Sequence, residues 1–487
     1  MRRAYWSWHS GLIALLGLGL LMIPQAEAIG PATFSTHHDT IPNFAQAHTI
    51  QSARDGNWSD PATWNLNRVP ASTDIVAITH TITYDTTTGI ADVIGIDAGA
   101  VLRFRTDLTT RLQVGVLLVM PGGTLEIGTE ASPLPPSVTA EVVIRDRPLD
   151  LTNDGIGVYD PKQYGTGLLA IDGTVRMHGA AKSPIFVRVA REPKAGDMTL
   201  LLEQPVTGWQ PGDRLILPDT RHLKDNEVGS KFIPQWEEFA IQSVSGTTIT
   251  LTSALRFDHL GPRNGDGALE FLPHIGNLTR NVLIRSENPS GTRGHMLFTR
   301  HAAVDIRYIE IEQMGRTRID PLDNTTLDTS GTATHIGTNQ IGRYALHAHH
   351  LFGPTTTPAN GYQFTFTGNS IHQGSAGHSF KWGIAVHDSH YGLIKDNVVY
   401  NTSGAGIAGE DGSESYNLFE RNFVGRVDGS GNRGDGRGMS DLAHDGVGFW
   451  WRGTNNYIRD NVAANAYGTV NTLNRYGYKF FPVYVGN

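Results

Sequence analysis

Apolar and polar positions alternate in short bursts along most of this chain, and turn residues rather than polar helix faces separate the bursts. DIVAITHTITYD, GIDAGAVLRF and RLQVGVLLVMPGGTLEIG are three such runs between Asp74 and Gly128. A period of two marks strands with one buried face. Gly122, Gly123 and Gly128 fall where a turn can take positive φ at no Cβ cost. No long stretch shows the 3.6-residue period of an amphipathic helix, so the chain reads as all-β.

In the last third the runs repeat as coils. Gly383-Ile384-Ala385-Val386-His387, Gly406-Ile407-Ala408-Gly409-Glu410 and Gly448-Phe449-Trp450-Trp451-Arg452 align. Further on in each coil an Asn opens another β run, at Asn397, Asn422 and Asn461, and Asn369 and Asn281 fit the same column. Repeats of about 20 to 30 residues predict a solenoid, here a right-handed parallel β-helix. One Asn per coil can hydrogen-bond along a stack of turns or simply accept a left-handed turn conformation. Both readings support the repeat.

The expected layout is a signal segment at 1–28, a polar and mobile lead-in at 29–50, a β domain at 51–180, a β-rich connecting segment at 181–270 and β-helix coils at 271–487. Two excursions, Gly315 to Gly342 and Val427 to Gly446, interrupt the coils. In the second, Asp428, Ser430, Asn432 and Asp435 space oxygen side chains without the full pattern of a calcium loop.

Composition adds a location. Arg2 and Arg3, an apolar stretch from Gly11 to Ile23 and Ala26-Glu27-Ala28 make an export signal. No other segment approaches the roughly 18 apolar residues of a membrane span. A secreted, periplasmic or cell-surface protein with no span after cleavage is expected. The chain has no cysteine, so packing and hydrogen-bond ladders replace disulfides, which suits a bacterial source. The net charge of −8, with no long basic run, argues against nucleic acid as a partner.

The candidate chemistry lies between Arg343 and Val424. With Leu346, Ile384, Ile407 and Phe449 inward, strand alternation turns His347, His349, His387, Glu410, Trp450 and Arg452 outward. The predicted column is His349, His387, Glu410 and Arg452, with His347, His372, Asp388 and Asp411 nearby. It is expected to face solvent, flanked by Arg343, Lys381 and the exposed rings of Trp382 and Trp450.

The residues also carry a resemblance. DGNWSDPATWNLNRVPASTDIVAI, PGGTLEIGT and GTVRMHG resemble the eight-glycine (G-eight) domain over about residues 51–180. GRYALHAHHLFG, SIHQG, VHDS and GEDGSE resemble the β-helix of the cell-migration-inducing hyaluronan-binding (CEMIP) and transmembrane hyaluronidase group, and more distantly fibrocystin. The resemblance implies hyaluronan binding or depolymerisation, with calcium implicated in some relatives. Its pattern falls here on Arg343, His347, His349, His372, His387, Glu410 and Asp411. Ala345 stands where relatives carry Pro, and Asp388 where they carry Gly.

Three readings stay open. The first is a polysaccharide hydrolase or lyase acting on an extracellular, anionic glycan. Its catalytic candidates are His349, His387, Glu410, Asp411 and Arg343, and its substrate-binding candidates Lys381, Trp382, Trp450, Arg452 and His372. The second is a divalent-cation site, calcium or zinc, on His347, His349 and His387 with Glu410 close by. The third is a module that binds glycan without cleaving it, or a scaffold in which the polar ladders satisfy one another.

Overall fold

The computed structural model describes residues 28–36, 38–151, 157–221, 234–374, 380–429, 443–468 and 478–480. Residues 1–27 of the expected signal segment, the excursion residues Ser430, Asn432 and Asp435, and residues 481–487 lie outside them. The described chain is a parallel β-helix built from three stacks of strands. The expected all-β fold is what forms.

The first stack begins at Ile50–Gln51 and Ile75–Ile78 and passes through Gly167–Ile171, His295–Arg300, Leu346–Leu351, Ile384–His387, Ala405–Gly409 and Val447–Trp451. The second includes Ser370–His372, Val398–Ser403 and Phe423–Asp428. The third holds ten strands, from Gly56–Asn57 to Tyr457–Arg459. Strands from residues 51–180 and strands beyond 280 share these stacks: Leu168 pairs with Met296, and Val175 with Val304. Residues 186–277 leave the coils and form a six-stranded antiparallel sheet beside them. Phe186 of that sheet stacks on Phe423 of the second stack at 5.3 Å.

Alternation decides what is inside. Leu346, Ile384, Ile407 and Phe449 pair in register and point into one continuous apolar core. The turns are held by asparagines, as the repeat predicts. The Asn369 backbone N–H donates to Oδ1 of Asn397, Asn397 to Asn422, and Asn422 to Asn461, at 2.9–3.0 Å. Asn281 bonds differently, donating to the carbonyls of Pro135 and Val138. A second ladder, Asn417 over Asn456 at 3.0 Å, was not read from the sequence.

The lead-in is packed rather than mobile. Its hairpin, Thr33–Ser35 against Thr40–Pro42, lies across the outer face of the first stack. Ile29, Phe34, Ile41 and Phe44 cover Val116, Leu118, Leu169 and Leu297. Burying each large apolar side chain is worth about 1.5–3 kcal/mol, enough to fix a segment that looks polar overall. Contact is close: a Cβ at Gly95 would meet the Ala45 Cβ at 2.3 Å.

Candidate functional site

On the first stack, His349 pairs with His387. Glu410 follows Gly409, the partner of Val386, and Arg452 follows Trp451, the partner of Gly409. The predicted column therefore exists in the predicted register. A β-bulge adds to it. Register shifts between Phe298 and Arg300, His350 takes φ 47°, and His349 and His350 end up with ring centroids 4.6 Å apart. Bulges re-aim side chains in this way. His350, unread in the sequence, bonds Asp388 Oδ2 through Nδ1 at 2.8 Å.

Outward does not mean exposed here. His347 is fully buried against the Tyr344 ring and the Gly342 carbonyl, and His349 is 9% exposed because the lead-in continues past the apolar cluster onto it. Asp39 Oδ2 lies 2.5 Å from His349 Nε2, and Tyr164 Oη donates to the other oxygen of Asp39. Nothing in the local sequence pattern marks Asp39, which stands 310 residues from its partner.

His387 joins the two carboxylates. Its Nδ1 is 3.3 Å from Glu410 Oε2, and its Nε2 is 2.8 Å from Asp411 Oδ2. Tyr344 Oη donates to Glu410 Oε1 at 3.2 Å, and the Glu410 Oε2 lies 4.0 Å from His347 Nε2. His347 Nδ1 faces the Gly342 carbonyl at 3.0 Å. Burial pushes the His347 imidazole far down and lowers His349 against the pull of Asp39. Burial also opposes the charge of His387, but Glu410 and Asp411 outweigh it and raise the imidazole to about 11. The hydrogen bond from His387 holds Asp411 below the usual carboxylate range, with Arg452 adding to the effect.

The rim is where solvent reaches. The Asp411 side chain is 45% exposed, His390 29% and Asp388 27%. Glu414 is buried beneath them, accepting from the backbone of Asp388, Asp411 and Gly412.

Several expected substrate contacts are placed elsewhere. Trp382 and Trp450 are buried, at 1% and 3% exposure, so neither offers a ring face to a sugar. Trp382 stacks on Tyr344 at 4.4 Å and donates its indole N–H to the Ala443 carbonyl. Arg343 is buried over the Tyr164 ring and spends its guanidinium on the carbonyls of Lys162, Gln163 and Ile341. It holds the loop that carries Tyr164 and is not available to a polymer carboxylate. Lys381 is buried too. His372 sits on the second stack, away from the column, 2.9 Å from Glu310 and 3.1 Å from Arg214.

Two groups have metal-compatible spacing. Ligand atoms of His347, His349 and His387 lie within 4.8 Å of one another, as do those of Glu310, Glu312 and His372. In the second group Arg214 already supplies the cation, 3.2 Å from Glu310 and 3.3 Å from Glu312. Only the first group fits a metal ion among the described residues.

Fold and site together define a parallel β-helix with an imidazole–carboxylate column on its outer face. A family model of the G8 domain matches residues 63–190, and one of the CEMIP beta-helix matches residues 330–476. The resemblance read from the sequence thus holds in both regions. Fibrocystin-L of Mus musculus is 28% identical over 437 residues, covering 84% of this chain and 9% of that protein. Cell surface hyaluronidase CEMIP2 of Homo sapiens is 28% identical over 229 residues, covering 46% of this chain and 15% of that protein. The chain therefore spans a small fraction of the curated relatives it matches. These relatives are animal proteins and lend no support to the bacterial source expected from the missing cysteines. A solved tailspike, gp54 of Acinetobacter baumannii bacteriophage AP22 in complex with capsular saccharide, matches 73% of this chain and 53% of its own at 12% identity. Its TM-score is 0.17, too low to carry an argument. No described helix is long and apolar enough to cross a membrane.

Proposed function

We propose that this chain works outside the cell, engages a polysaccharide along the rim of the column and depolymerises an anionic one. The observation that carries this reading is the clustering of His349, His387, Glu410 and Asp411 from three successive coils, with Asp39 of the lead-in closing on His349. A long polymer can lie along stacked coils, and paired carboxylates beside imidazoles are the equipment of glycosidic cleavage. The name of the matched cell surface hyaluronidase supports a uronic-acid polymer as first substrate to try.

The test is size-exclusion analysis of a panel of uronic-acid polymers incubated with the purified chain. Shortening by wild type that is lost in Glu410→Gln and Asp411→Asn, with thermal melts unchanged, supports the reading. Retardation of a polymer in an affinity gel with no shortening gives the site to a binding module instead. That second reading is favoured by one observation: His347 and His349 are buried, and only the Asp411 rim is open.

A further inference from the structure

We infer that His347, His349, His387 and Glu410 form a binding site for one divalent cation of the imidazole-preferring class, zinc foremost. The inference stands on the column and not on the substrate proposed for it.

In a neutral imidazole one nitrogen donates and the other keeps a lone pair. The Nδ1 of His347 is committed to the Gly342 carbonyl, which leaves the lone pair on Nε2. The Nε2 of His349 is committed to Asp39, which leaves the lone pair on Nδ1. The Nε2 of His387 is committed to Asp411, and its Nδ1, protonated toward Glu410, becomes a ligand by releasing that proton to solvent as the ion enters. The Oε1 of Glu410 accepts from Tyr344, which leaves Oε2. Each of the four residues thus has one atom tied outward and one turned inward.

Three of the inward atoms, His347 Nε2, His349 Nδ1 and Glu410 Oε2, are buried with no hydrogen-bond partner among the described residues. Buried polar atoms are rarely left so. The fourth, His387 Nδ1, is 3.3 Å from Glu410 Oε2. Three nitrogens and one oxygen suit the roughly tetrahedral preference of zinc. Calcium takes about six to eight oxygens, and this donor set does not provide them. The outward partners also have a recognised purpose. A carboxylate or carbonyl on the far nitrogen fixes the tautomer and orientation of a ligating histidine. Asp39, Asp411 and Gly342 would all act in that way, and this gives the lead-in a function as well as a cover.

The ligand nitrogens of the three histidines lie within 4.8 Å of one another. Zinc–nitrogen bonds of about 2.0–2.1 Å are within reach of atoms grouped in this way.

The experiment strips the purified full chain with a chelator, then titrates zinc calorimetrically and cobalt by visible absorption. The expected result is one ion per chain, with a tetrahedral-type cobalt spectrum. His347→Ala and His349→Ala abolish uptake. Asp39→Asn keeps the ligands and weakens binding about 10- to 100-fold. His372→Ala, from the other cluster, leaves it unchanged. Should the alanine variants not fold, Asp39→Asn and the wild-type stoichiometry still decide. Absence of zinc binding by the stripped wild type, or an affinity that Asp39→Asn leaves untouched, overturns the inference. Zinc binding with no polymer cleavage upholds it while removing the hydrolase reading, so the two failures are distinguishable.

Discussion

Along the outer face of the first stack, the early coils present Val116, Leu118, Leu169 and Leu297, and the later ones present His347, His349, His387 and Glu410. The two sets belong to one register, since Leu297 pairs directly with His347. One lead-in covers both, with Ile41 and Phe44 over the apolar half and Asp39 over the polar half. The backbone treats the halves alike. What differs is the demand each makes on its cover: the apolar half needs only shape, and the polar half needs a named partner for every buried nitrogen.

That contrast can be broken from the apolar side first. Phe44→Ala empties a fully buried ring site under the lead-in and is expected to cost about 3–5 kcal/mol in urea unfolding. Because the same segment carries Asp39, zinc affinity should fall with it. Asn397→Ala cuts the turn ladder at its middle and strands the Asn369 N–H and the Phe366 carbonyl. Its expected cost is about 1–3 kcal/mol for each unpaired group, measured in the same way. His347→Leu extends the apolar column by one coil. It gives up the bond to the Gly342 carbonyl, and chelator-stripped stability should change by only about 1 kcal/mol while zinc uptake is lost.

A pH-dependent effect lies off the column. His274, beside the stacked rings of Phe186 and Phe423, is held down to about 4 by burial and by the nearby Arg188. Its unfolded value is the ordinary 6.5, so between pH 4 and 6.5 the unfolded chain binds the extra proton. Stability from this group is present above pH 6.5 and declines as pH falls through that window. Urea midpoints at pH 7 and pH 5 should differ less in His274→Gln than in wild type.

Much of this was legible in the sequence. Period-two alternation and the glycine-led alignment of residues 383, 406 and 448 placed the column in its true register, and Asn369, Asn397, Asn422 and Asn461 announced their ladder. Burial was not legible, because the cover comes from a segment whose apolar residues are sparse and about 300 residues distant. Arg343, Trp382 and Trp450 read as solvent-facing for the same reason: the Tyr164 loop and Ala443 reach them only in three dimensions. Asn417 and Asn456 open NLFE and NYIR, a second column that the alignment on Asn397, Asn422 and Asn461 does not contain.

Asp39 also sets an order of events. Its partner His349 is synthesised 310 positions after it. The hairpin that carries Asp39 has an apolar seat on Val116, Leu118 and Leu169 of the early coils, while Asp39 itself has no His349 to meet until the later ones are added. The column is completed only when an early part of the chain meets a late one, so a finished site certifies that the coils between them have closed.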